Sequence, residues 1–115
     1  MATCKNYTKL LKLLEKANQC IRKAFVKEWE DKYEERWQDG RPSAKFFEFI
    51  DRIPYASEFQ IGLLKYGNSK DWDVSLFFFI FSTPPINKFF RFVKDIKDVR
   101  NIVSIYLLKS KSISN

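Results

Sequence analysis

Glycine and proline are scarce, with 3 Gly and 4 Pro in 115 residues. Hairpins and tight turns rely on these residues, so a sandwich or barrel of many short strands would need more of them. A few long elements are the alternative, and apolar spacing marks them as helices. Leu10, Leu13, Leu14, Ala17, Ile21, Ala24 and Phe25 recur three and four apart, which builds one buried helical face with Asn6 or Thr8 as its cap. The same spacing extends through Trp29, Tyr33 and Trp37 to a stop at Gly40, just before Pro42. Ser43 starts a second helix with Phe46, Phe47, Phe49 and Ile50, ending near Ile53-Pro54. Ser57 and Gln60 form a capping box for a third, which carries Phe59, Ile61, Leu63 and Leu64 and closes at Gly67.

The run from Leu76 to Phe81 is apolar on all sides, a pattern shared by buried strands and buried helices. No alternating partner strand or hairpin turn occurs elsewhere, so this run is expected to be a central buried helix capped by Asp71 or Ser69. Beyond Ser82-Thr83-Pro84-Pro85, the residues Phe89, Val93, Ile96, Val99, Val103 and Leu107 mark a last long helix. The expected fold is all-α, a compact bundle of about four or five helices. A single domain would occupy residues 1–108, with 109–115 as a flexible tail.

Composition narrows the chemistry. The chain has no histidine, which removes Ser-His-Asp, Cys-His and His-ligated metal mechanisms together with any imidazole base. Cys4 and Cys20 cannot complete a zinc site, so no metal and no cofactor is expected. The 12 Phe, 5 Tyr and 3 Trp supply ample apolar surface for a core. The first residues carry charge where a secretory leader would be apolar, so a cytoplasmic location with reduced thiols is expected. The longest uncharged stretch, Val74 to Asn87, contains two prolines and is shorter than the roughly 20 residues of a membrane span.

The net charge of +7 favours acidic partners, and the excess sits at the two ends of the chain. Lys88, Arg91, Lys94, Lys97 and Arg100 recur every third residue. At about 100° per residue such a row winds around a helix and presents no single face. These cations are therefore expected to flank a core helix, with acidic-partner binding as the alternative.

Several local motifs occur in an order that resembles one family. Asn6-Tyr7-Thr8-Lys9-Leu10 opens a leucine-rich helix ending near Arg22-Lys23-Ala24-Phe25, and a loop with Trp37, Asp39, Gly40, Pro42 and Ser43 follows. Trp72-Asp73-Val74-Ser75-Leu76-Phe77-Phe78 is an aspartate-led apolar helix, and Ile96-Lys97-Asp98-Val99-Arg100-Asn101 comes after it. Over roughly residues 6–107 the chain resembles a HEPN-type helical domain. The branch is the one at the N-terminus of DAZ-interacting zinc-finger E3 ubiquitin ligases and some NACHT or repeat-bearing receptor-like proteins.

In nuclease members of that family, an Arg-Asn pair is followed after four residues by histidine, and arginine and histidine act on RNA without metal. Here the histidine position holds Tyr106. With a pKa near 10, tyrosine is a poor base at neutral pH, so the resemblance implies a catalytically inactive, HEPN-like interaction or oligomerisation module. Arg100 and Asn101 are its candidate binding residues, with Ser104 on nearly the same face, Tyr106, and Lys97 of the basic series. No residue is assigned a catalytic role.

Family members tend to carry a further helix after the Arg-Asn segment. The resemblance thus implies an apolar flank to be covered by a dimer partner, another protein or the rest of a longer chain. Affinity for RNA or an acidic surface is a further expectation. The competing readings are a metal-independent RNA endonuclease using Arg100 with Tyr106, and a module that binds RNA or a membrane surface.

Overall fold

The computed structural model describes the backbone of residues 2–113 and the side chains of residues 8–106. Among these residues there are five α-helices, a short 3-10 turn and no strand, so the all-α expectation holds. They are α1 (Ala2–Tyr33), α2 (Ala44–Asp51), α3 (Glu58–Tyr66), α4 (Val74–Phe81) and α5 (Phe90–Ile113), with the turn at Ser69–Asp71. Helix α4 packs against both α1 and α5, α5 also packs against α1, and α2 packs against α3. The two long helices give the bundle extents of 50 × 26 × 24 Å.

Aromatic rings fill the centre. Phe25 is fully buried, with the Trp37 ring 4.9 Å away and the Trp72 ring 5.3 Å away, both edge-on. Trp29, Phe46 and Phe77 complete its surroundings. The apolar run of α4 is the buried helix its composition suggested: Leu76, Phe77, Ile80 and Phe81 are all buried.

The structure departs from the spacing argument in several places. Helix α1 begins at Ala2, so Asn6 and Thr8 fall inside it and do not cap it. It ends at Tyr33, four residues before the predicted stripe does, because Glu34 turns left-handed at φ 53°. That turn brings the Trp37 ring back onto Phe25 and Phe46, and Glu30 accepts the Trp37 backbone N–H at 3.0 Å. Ser43 stands at the N-cap of α2 but its hydroxyl donates to Glu35 and makes no cap hydrogen bond. Helix α4 is capped by Asp73, which accepts the Leu76 N–H at 3.1 Å, whereas Ser69 and Asp71 form the preceding turn. Phe89, just before α5, and Val99 within it, both expected in the core, are exposed, and the helical backbone of α5 runs on to Ile113.

The α3 boundaries follow the sequence closely. Ser57 accepts the Gln60 N–H at 3.1 Å, and the Gln60 side chain accepts the Ser57 N–H at 3.0 Å. Gly67 ends the helix at φ 78°, and a Cβ there would lie 2.6 Å from Pro42. Left-handed strain and this contact add together, so Gly67→Ala is expected to cost about 2–3 kcal/mol, read as a lowered urea midpoint.

Candidate functional site

Helices α1 and α5 and the start of α4 enclose a cleft of about 480 Å³. Leu14, Val74, Ile96 and Val103 give it an apolar lining, while Asn18, Lys70, Asp73, Arg100 and Ser104 supply polar groups. Arg100 lies three turns into α5, within reach of the α4 N-terminus. Its Nη2 donates to Ser75 Oγ and its Nη1 lies 3.5 Å from Asp73 Oδ2, so a residue that caps α4 also fixes the guanidinium. Arg100 Nε is buried without a hydrogen-bond partner. So is Oδ1 of Asn18, whose Nδ2 donates to the Trp72 carbonyl at 3.1 Å. The cleft therefore combines aliphatic walls with an internally neutralised arginine, a set suited to holding a ligand by packing and hydrogen bonds.

Only two of the five residues singled out from the sequence line this cleft, Arg100 and Ser104. Asn101 and Tyr106 are exposed elsewhere on α5, and the Lys97 ammonium sits 4.0 Å above the Phe78 ring. The threefold-spaced cations scatter around α5, as rotation requires. Lys88 reaches the buried Glu28 at 3.8 Å, Lys94 pairs with Asp98 at 3.2 Å, and Arg100 turns inward.

A second polar cluster adjoins the cleft. Asp39 accepts from Arg22 Nη2 at 2.8 Å and from the Trp37 indole at 2.9 Å. It also accepts from both the backbone and the hydroxyl of Ser69, at 2.9 and 2.6 Å. Burial opposes the charge, but the bonds from Ser69, Trp37 and Arg22 outweigh it and hold the carboxyl well below the usual carboxylate range. Beside this cluster a hollow of about 310 Å³ is lined by Asn18, Gln19, Arg22, Lys23 and Lys70. Asn18, Gln19 and Lys70 also line the cleft, so the two depressions are neighbours.

A third feature lies on α5. Phe92, Val99 and Tyr106 are seven residues apart with Ile102 between, and their exposures are 47, 39, 62 and 63% in the order Phe92, Val99, Tyr106, Ile102. The inward face of the same helix is a different set, Val93, Ile96 and Val103. Val99 is three residues from Ile96 and four from Val103, so the two sets adjoin, and Phe92, Val99, Ile102 and Tyr106 form the exposed edge of one broad apolar arc on α5.

Asn18, Lys70, Asp39 and Ser69 were missed as site residues, because none belongs to a spaced set of chemical groups. Of these only Asp39 stands in one of the motifs, where Arg22 of the preceding motif bonds it; in the same way Phe25 meets Trp37 and Asp73 meets Arg100. Among the described residues, no group of three or more His, Cys, Asp or Glu could hold a metal ion, and no helix is long and apolar enough to cross a membrane. In comparisons with known proteins, no family model, curated protein or solved structure matches the chain.

Proposed function

We propose that the chain is a non-catalytic, HEPN-like helical module that self-associates through the exposed edge of the apolar arc of α5. The observation that carries this reading is the seven-residue spacing of Phe92, Val99 and Tyr106 on an exposed helix face. A seven-residue step drifts only about 20° around a helix, which makes a straight seam for a second helix. The seam is about 21 Å long from Phe92 to Tyr106. It is also self-complementary: in an antiparallel pair about a twofold axis at Val99, Phe92 of each copy faces Tyr106 of the other. The converging motif residues, Arg22 with Asp39 and Asp73 with Arg100, support the HEPN-like reading. The exposed Cys20 thiol suits a reducing, cytoplasmic setting.

Arg100 belongs to the scaffold in this reading, because Ser75 and Asp73 already engage it and no histidine stands beside it. The chain is expected to leave a mixed RNA pool intact. Cleavage that disappears in Arg100→Ala would overturn the non-catalytic reading. For a dimer, thermal unfolding depends on concentration, so the midpoint is expected to climb over an about hundredfold concentration range. Val99→Lys combined with Ile102→Lys should abolish that climb. The new lysines follow Asp95 and Asp98 by four residues, so the helix itself stays supported.

A further inference from the structure

The hollow at Arg22, Lys23 and Lys70 is independent of the α5 seam and has a charge of its own. Arg22 donates Nε to Ser69 Oγ at 3.0 Å and Nη2 to Asp39 at 2.8 Å, which fixes the guanidinium plane and leaves Nη1 outside both bonds. Among the described residues, no ion pair engages Lys23 or Lys70. Asp39 offsets one of the three positive charges, so about two remain to face the hollow. A phosphorylated side chain carries a charge of about −1.5 to −2 at pH 7, which matches that remainder better than a single carboxylate does.

The neighbouring cleft defines the rest of the ligand. Its walls are aliphatic, from Leu14, Val74, Ile96 and Val103, and among the described residues no aromatic ring lines either the cleft or the hollow. Recognition of single-stranded RNA rests on aromatic or guanidinium planes that stack bases, and here the Arg100 guanidinium is held by Ser75 and Asp73. Glu15 and Asp73 also line the cleft and would repel a chain with a phosphate at every unit. One anionic group next to an aliphatic side chain avoids both problems. We propose that the neighbouring cleft and hollow together bind a phosphorylated peptide, with the phosphate between Arg22, Lys23 and Lys70 and a neighbouring leucine-like side chain against Val74, Ile96 and Val103.

The test is a fluorescence-anisotropy titration of the whole chain with a labelled peptide, Ala-Leu-Ala-phosphoserine-Ala-Leu-Ala. Leucine on both sides covers either direction of binding. The phosphopeptide is expected to bind at least about tenfold more tightly than the same peptide with serine or with aspartate. Replacing its leucines by alanine should weaken it about tenfold. Lys23→Glu with Lys70→Glu should abolish the preference for phosphate, and both positions are exposed, so an unchanged thermal melt verifies that the variant is folded. Val99→Lys with Ile102→Lys should leave peptide binding intact, which separates this site from the self-association seam.

Equal binding of the serine peptide, insensitivity to the Lys23 and Lys70 changes, or no binding at all would overturn the proposal. Preferential binding of an oligouridylate, competing with the phosphopeptide, would overturn it in favour of RNA.

Discussion

Phe25→Ala is expected to destabilise the fold by about 3–5 kcal/mol. Phe25 is fully buried and meets five other rings, from Trp29, Trp37, Phe46, Trp72 and Phe77. Those rings come from α1, the loop after it, α2, the segment before α4, and α4 itself. None can collapse into the space without breaking contact with another, so the cavity term adds to the lost transfer free energy. Small domains are stable by about 5–15 kcal/mol, so the variant should lose a large share of its stability. Urea unfolding followed by tryptophan fluorescence measures the loss. A cost below about 1 kcal/mol would mean that the aromatic cluster is not the stabilising centre.

Asp39→Asn is the second large effect. The carboxylate gathers donors from α1, from its own loop and from the turn before α4, and an amide of the same size cannot accept all of them. Leaving Arg22, the Trp37 indole and Ser69 short of an acceptor is expected to cost about 2–4 kcal/mol. The pH dependence has a definite sign. Because the folded state holds this carboxyl below its ordinary range, its stabilisation is present above the unfolded pKa of about 3.9. It is lost as the pH falls from there through the folded pKa, since the unfolded chain binds the proton first. Urea midpoints measured from pH 7 downward should therefore fall more steeply for the native chain than for Asp39→Asn. Parallel curves would show that Asp39 contributes nothing to acid unfolding.

Much of the fold was legible because local rules agreed with each other. Ser57, Gln60 and Gly67 bounded α3 correctly, since a capping box and a left-handed glycine are local devices. The α4 run was identified by the absence of any strand partner. The failures came where tertiary packing overruled spacing. Trp37 continued the α1 stripe on paper, yet its ring reaches Phe25 only because the helix ends at Tyr33 and the chain reverses. Val99 matched the apolar spacing of α5 but sits at the exposed edge of its apolar arc, and periodicity does not say where the core contact ends. Of the candidate site, Arg100 and Ser104 were legible from spacing along one helix. Asn18, Lys70 and the Asp39 cluster join them only through contacts between distant segments, which no spacing encodes.

Sedimentation equilibrium of the native chain beside Val99→Lys/Ile102→Lys tests most directly whether this is a self-associating module. The native chain is expected to show a mass rising with concentration toward twice 13.8 kDa, while the variant stays at the single-chain mass with an unchanged helical circular dichroism spectrum. A native chain that holds the single-chain mass at every concentration, or a variant that associates as strongly as the native chain, would contradict the account.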